Sequence, residues 1–188
     1  MLIYSMSVSV DGFIYDRDGD FTWSAPTEER FAFHTEEVRA LGAHLCGRTL
    51  HETMLVWETD PAMRSDPAQA VFADLWTALP KVVFSRTVDA VEGENARLAT
   101  GSLAEEVAAA QEATDGHVAI GGGDLGAQAV ALGLVDELRM FRHPVVVGGG
   151  RPSLPAVTEK LELELLETRT FEPGGVVLER YGRRTATS

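Results

Sequence analysis

A single cysteine, Cys46, leaves the chain without any possible internal disulfide. Long apolar runs are missing as well. None approaches the roughly 20 residues that a membrane-spanning helix needs, so no membrane partner is expected. The first residues lack a basic start and place Asp11 inside what would be the apolar stretch of a secretory leader. The expected location is therefore the cytoplasm. Positive charge is scarce: 16 basic residues against 29 acidic ones give a net charge of −13. That balance argues against nucleic acid or an anionic membrane surface as partner. It remains compatible with a phosphate-bearing cofactor, which needs only a few local cations and backbone amides. No repeat, linker or low-complexity tract interrupts the sequence, and one domain spanning residues 1–188 is expected.

A metal-ligand pattern is also lacking. His44 and Cys46 stand two apart on an expected strand and so share a face, but no further cysteine or clustered histidine completes a site. His34, His51, His117 and His143 are scattered. No metal site is expected, and a thiol enzyme is a poor reading.

Against these absences stands a glycine-rich junction at residues 117–128. Val118, Ala119 and Ile120 read as a covered strand; Gly121, Gly122 and Gly123 follow; Leu125, Ala129, Val130 and Leu132 then recur at helical spacing. A glycine turn feeding a helix start offers free amides and a positive dipole end, which suits a phosphate. Gly121, Gly123 and Gly126 fit the pattern G-x-G-x-x-G, but the position is wrong for a dinucleotide fingerprint of the Rossmann type. It lies two-thirds along the chain, and the next apolar strand, expected to run through Val147, ends without a ribose-binding acid.

Two further junctions resemble it. Ala43 to Cys46 reads as a strand, turned by Gly47 into a helix that carries Arg48, with Thr49 and Glu52 at capping-box spacing. Lys81 to Phe84 reads as a strand ending in Ser85-Arg86-Thr87, where a cation flanked by hydroxyls suits the 2′-phosphate of NADP. Three such strand ends in phase favour a nucleotide cofactor over simple turn chemistry.

The remaining segments fill in an α/β order. Leu2 to Val10 reads as a strand broken at Asp11-Gly12, followed by a polar loop from Asp16 to Asp20 that suits a lid. Pro26 to Glu29 starts a helix with Phe31, His34 or Thr35, Val38 and Leu41 inward and Gly42 as its C-cap. Trp57 falls in a loop, and residues 61–67 look irregular. A helix over Ala68–Leu79 presents Val71, Phe72, Leu75, Trp76 and Leu79, and a second over residues 102–115 opens with a Ser102–Glu105 capping box. Arg97 to Ala99 suits a short strand. The tail alternates at Leu161, Leu163 and Leu165, turns at Pro173-Gly174-Gly175 and returns through Val176 to Tyr181, as two antiparallel strands do.

Four pieces in order, Ser7-Val8-Ser9-Val10-Asp11-Gly12-Phe13-Ile14, residues 47–54, Val83-Phe84-Ser85-Arg86-Thr87, and Gly121 to Leu125 running into Gly133 to Leu138, resemble the dihydrofolate reductase superfamily. The chain is most similar to stand-alone relatives of the reductase domain of the bacterial riboflavin deaminase-reductase. The resemblance implies a three-layer α/β/α fold with a mixed, mostly parallel sheet of about eight strands and an antiparallel C-terminal hairpin. It also implies NADPH as hydride donor. By position, Gly47, Arg48 and Thr49 would meet cofactor phosphate, and Ser85, Arg86 and Thr87 the 2′-phosphate. Gly122, Gly123, Asp124 and Leu125 would line the pyrophosphate, and Asp11 would face the substrate. That branch often carries a glutamate just before the glycine triplet, where this chain has Ile120. Dihydrofolate reductases hold the pterin with a carboxylate on the first helix; Glu28 and Glu29 lie near, with helix capping the simpler role for both.

The expected activity is hydride transfer to a C=N or C=O bond of a small flat heterocycle, pterin-like or ribosyl-pyrimidine-like. Asp11 is the expected polar anchor or proton relay, near neutral pH if an apolar cleft raises its pKa. Trp23, Phe31 and Trp57 would wall a flat ligand. The alternative is a non-catalytic nucleotide-binding dimeric module, which the isoleucine at position 120 favours. A homodimer follows from the resemblance and from the long C-terminal strands, whose edges need covering.

Overall fold

The computed structural model describes residues 1–184. It is a three-layer α/β protein with an eight-stranded mixed sheet. The ten strands are β1 (Leu2–Ser9), β2 (Phe13–Tyr15), β3 (Leu41–Gly47), β4 (Lys81–Phe84), β5 (Ala96–Leu98), β6 (His117–Gly121), β7 (Glu137–His143), β8 (Arg151–Pro152), β9 (Leu163–Phe171) and β10 (Val176–Arg183). Their order in the large sheet is β5-β4-β3-β6-β1-β7-β10-β9, while β2 and β8 form a separate pair. The helices are α1 (Glu28–Arg39), α2 (Arg48–Met54), α3 (Val56–Thr59), α4 (Pro67–Ala78), α5 (Leu103–Glu112) and α6 (Gly123–Ala131).

Two compact units share this topology, Met1–Arg30 with Gly123–Ser188, and Phe31–Gly122. In the first, β1 runs parallel to β7, and β10 pairs antiparallel with both β7 and β9. Leu2, Ile3, Tyr4 and Val8 of β1 are buried, as are Leu138, Met140 and Phe141 of β7. The Tyr4 ring occupies the space that a side chain on Gly126 would fill. Gly126, the second glycine of α6, is thus a packing requirement that lets the helix lie close on β1.

In the second unit, β3 runs parallel to β4 and β6, and β4 to β5. Leu45, Cys46, Val83 and Val118 are fully enclosed. Phe72, Trp76 and Leu79 form an aromatic core on which Phe31, Val38, Leu41, Met54 and Trp57 pack. The expected Ser102–Glu105 capping box is present at the start of α5.

Several local expectations are corrected. Gly42 lies within β3, where the Thr114 side chain takes the place of any Cβ, and α1 stops at Arg39. Thr49 does not cap α2. Gly47 occupies the cap without a side-chain bond, and the Thr49 carbonyl instead accepts from the Thr53 hydroxyl. Trp57 sits in the short helix α3, held by its packing on Phe72 at a ring distance of 4.6 Å. The strand expected through Val147 ends at His143, because Pro144 has no amide to continue the ladder. Val71 of α4 faces solvent. The β2–β8 pairing joins segments far apart in sequence, and two-residue β8 has too few residues to show a period.

Candidate active site

The second unit brings three junctions onto one line. Gly47 at the end of β3 is in register with Phe84 at the end of β4, and Cys46 with Gly121 at the end of β6. The residues that follow, Arg48, Ser85 and Gly122, therefore leave the sheet at one carboxyl edge. In parallel α/β sheets that edge is where ligands bind.

The three glycines here have different causes. A Cβ on Gly121 would stand 2.5 Å from Leu50 Cδ2 and 2.9 Å from His44 Cε1, so this glycine is required by packing. Gly122 has φ +94°, which only glycine adopts freely, and a Cβ there would reach only the Gly47 nitrogen, at 3.8 Å. Gly47 has neither reason. Its φ is −76°, and a Cβ would meet nothing within 4 Å. The protein's own packing leaves this bare backbone unexplained, whereas a ligand lying against it accounts for it.

Cations and hydroxyls stand beside this bare backbone. Arg48 is exposed and pairs with Glu52 at 2.9 Å, one turn along α2. Thr49 is exposed. The Thr87 amide donates to the Ser85 hydroxyl at 3.2 Å, fixing the turn from which Arg86 projects into solvent. Arg86 makes no ion pair among the described residues. The buried neighbours are unreactive: burial pushes the Cys46 thiol up to about 12. This sets aside a thiolate nucleophile.

In the first unit, Gly123 opens α6, and a Cβ on it would stand 2.9 Å from Ile14 Cδ1 and 3.3 Å from Arg151 Cγ. Asp124 is exposed and paired with the Arg151 guanidinium, so its carboxylate is neutralised at the helix start. Leu125 is buried.

Asp11 differs from the apolar-cleft expectation. It is exposed, and its carboxylate accepts from the amides of Val147 at 3.2 Å and Gly148 at 2.8 Å. The Ser9 hydroxyl, with these amides, holds the carboxyl below its ordinary range. These hydrogen bonds outweigh the opposing desolvation, so Asp11 is a fixed anion that ties down the 147–148 loop. Trp23 is half-buried; its indole donates to the Asp20 carbonyl at 3.2 Å and its ring meets His143 edge-on at 5.3 Å. Phe31 and Trp57 belong to the aromatic core of the second unit, with ring centroids 5.8 Å apart.

The charged group that α1 buries is an arginine. Glu29 faces outward, where it accepts from Arg169 at 2.8 Å and from the Glu172 amide at 3.2 Å. Arg30 is only 3 % exposed and reaches His143, itself 3 % exposed. Sequence periodicity did not reveal this cluster, since 113 residues separate its members. One signal was available: a cation in the first turn of a helix, where the dipole favours an anion.

Comparison with known proteins places these observations. The sequence matches the family model described as RibD C-terminal domain over residues 1–177. It is 30 % identical over 179 residues to the uncharacterized protein YyaP of Bacillus subtilis (strain 168), covering 93 % of this chain and 91 % of the relative. A putative riboflavin biosynthesis protein from Shewanella sp. PV-4 superposes with a TM-score of 0.77 at 21 % identity, covering 98 % of this chain and 99 % of that one. Dihydrofolate reductase from Enterococcus faecalis, solved with NADP(H), superposes at 0.64 with 17 % identity, covering 98 % and 97 %. At these identities the solved structures establish the shared fold.

Proposed function

Because the chain belongs to the RibD C-terminal domain family, we propose that it is an NADPH-dependent reductase acting on a C=N or C=O bond of a small flat heterocycle, pterin-like or ribosyl-pyrimidine-like. The observation that carries this reading is Gly47: a glycine with ordinary backbone angles and open space, in register with two other strand ends that bear cations or bare backbone. Arg48 and Thr49 would meet cofactor phosphate there. Ser85, Arg86 and Thr87 would hold the 2′-phosphate, with Arg86 as its counter-charge. Gly122, Gly123, Asp124 and Leu125 would line the pyrophosphate through their backbone. Bound in this way, NADPH supplies the hydride, and the protein supplies orientation and exclusion of water. Asp11 acts as an anchor rather than a proton donor, since its carboxyl stays ionised. Trp23, Phe31 and Trp57 would supply aromatic walls for a flat ligand.

A second reading, a nucleotide-binding module without turnover, has one observation in its favour. Ile120 is 1 % exposed in the core, so the position before the glycines carries no carboxylate for a substrate. We also propose a homodimer. The outer strand β9 leaves Leu163, Leu165 and Leu166 exposed along an edge that no other strand covers among the described residues. The cytoplasm is the compartment that fits this activity.

The test is thermal stabilisation by NADPH and NADH, followed by NADPH oxidation across a panel of dihydropterins and ribosyl-pyrimidines. Stabilisation by NADPH with oxidation by one member supports the reductase. Stabilisation without oxidation supports the module, and stabilisation by neither nucleotide overturns both.

A further inference from the structure

Arg30 is a buried cation without an anion. All three guanidinium nitrogens lie inside the first unit. Nη2 donates to the Ala25 carbonyl, and Nη1 donates to His143 Nε2 at 3.1 Å. The third, Nε, is buried and has no hydrogen-bond partner. No carboxylate pairs with Arg30 among the described residues, and burial alone accounts for the lowering of its pKa. A guanidinium has donors only, so His143 Nε2 must accept from it and the imidazole is neutral on that side. His143 Nε2 also lies 3.1 Å from the Ser7 hydroxyl. Among the described residues, neither hydrogen-bond partner of the Arg30 guanidinium, the Ala25 carbonyl or His143 Nε2, brings a negative charge to it.

This is an expensive arrangement for a fold to keep. A buried charge is normally paired, because desolvation is otherwise uncompensated. Arg30 also stands in the first turn of α1, where the helix dipole opposes a cation. Glu28 and Glu29, the acids beside it in sequence, are both exposed, and Glu29 is engaged by Arg169. The place in the fold is informative. Ser9 and His143 are in register at the carboxyl ends of the parallel strands β1 and β7, the end of such strands where ligands bind. The cluster is not sealed, since Ser7 and Trp23 beside it are only half-buried.

We propose that Arg30 Nε is the binding point for an anionic group on the substrate, which enters beside Trp23 and Ser7. The substrate class is then a small heterocycle carrying a carboxylate or an ionised ring edge. A cationic amino-substituted edge would meet repulsion in the same place. This assignment rests on the reductase reading for the word substrate, and the binding site itself rests on Arg30.

The test is calorimetric titration of the whole chain with orotate, a pyrimidine bearing a carboxylate; with uracil, the same ring without it; and with 2,4-diaminopyrimidine. Orotate should bind about tenfold or more tighter than uracil, the range expected of one charge-assisted contact. Arg30→Met should bring orotate to the level of uracil, and Arg30→Lys, which keeps the charge but loses Nε, should fall between. Orotate no tighter than uracil in the wild type, or unchanged in Arg30→Lys and in a folded Arg30→Met, overturns the proposal. If Arg30→Met does not fold, the wild-type comparison and Arg30→Lys decide. NADPH is titrated in the same samples. NADPH binding without orotate selectivity removes the anion site and leaves the reductase. Orotate selectivity without NADPH binding does the reverse.

Discussion

Gly47 and Gly122 face one another across two strand ends so closely that a Cβ on Gly122 would lie 3.8 Å from the Gly47 nitrogen, yet only Gly122 is glycine for a conformational reason. This separates binding from folding. Gly47→Ala should change stability by no more than about 1 kcal/mol, because its backbone angles suit alanine while the N-cap position of α2 prefers glycine. The same change should weaken NADPH by about tenfold or more, since a methyl group would stand where the cofactor approaches. Gly121→Ala should behave in the opposite way and lose about 1–3 kcal/mol of stability through overpacking against Leu50 and His44. Denaturant melts and cofactor titrations on both variants check this. Equal loss of stability in the two would remove the argument from Gly47.

Arg86 should set the choice of nucleotide. Arg86→Ala should weaken NADPH by about tenfold while changing NADH little, because only NADPH brings a 2′-phosphate to the turn after β4. Competition titrations of both nucleotides measure the ratio. A parallel loss for both would place Arg86 away from the 2′-phosphate.

Lys81 holds the second unit together. Its side chain is fully enclosed, and Nζ donates to the carbonyls of Trp76 and Leu79 at 2.8 Å and of Glu94 at 3.1 Å. The Glu58 carboxylate, also buried, lies 3.2 Å away. Lys81→Met should destabilise by about 3–5 kcal/mol, because Glu58 and three carbonyls lose their shared donor. Replacing both partners, Lys81→Met with Glu58→Gln, should recover part of that loss. A double variant no better than the single one would show that the carbonyl contacts, not the ion pair, carry the effect.

Acid should weaken the fold through His44. Burial, with the nearby charges of Lys81 and His51, pushes its pKa from 6.5 down to about 4. Between these values the unfolded chain binds a proton that the folded chain refuses. Stability is therefore intact above about pH 6.5 and falls as pH drops toward 4, by up to about 1.4 kcal/mol per pH unit. The stability difference between wild type and His44→Gln, followed from pH 8 to pH 4, should change over that window. A constant difference would contradict a neutral buried His44.

Where the sequence was informative, local chemistry was enough. β1 showed as an alternating strand broken at Asp11-Gly12, β3 and β6 as apolar runs ending at glycine, β4 as an apolar run between Pro80 and Ser85, and the Ser102–Glu105 box marked the start of α5. The common edge of the three junctions was inferred from their phase and is visible as register. Misreadings arose where distant contacts overrode local signals. Trp57 is helical because Phe72 and Phe31 hold it, and Gly42 is extended because Thr114 fills its flank. The Arg30–His143 contact spans the chain, and its one local trace is a cation in the first turn of α1. The environment of Asp11 depended on the Val147 and Gly148 amides, which no spacing argument places beside it.

The enclosure of Lys81 bears on how the protein can be handled at a surface. The sequence holds two lysines, Lys81 and Lys160. The first is sealed, and the second has 85 % of its side chain exposed. Amine-directed coupling will therefore attach the folded chain through Lys160 or the N-terminal amine alone. Coupling through lysine should use the single position Lys160, while Lys81 at the start of β4 stays unmodified in the folded chain.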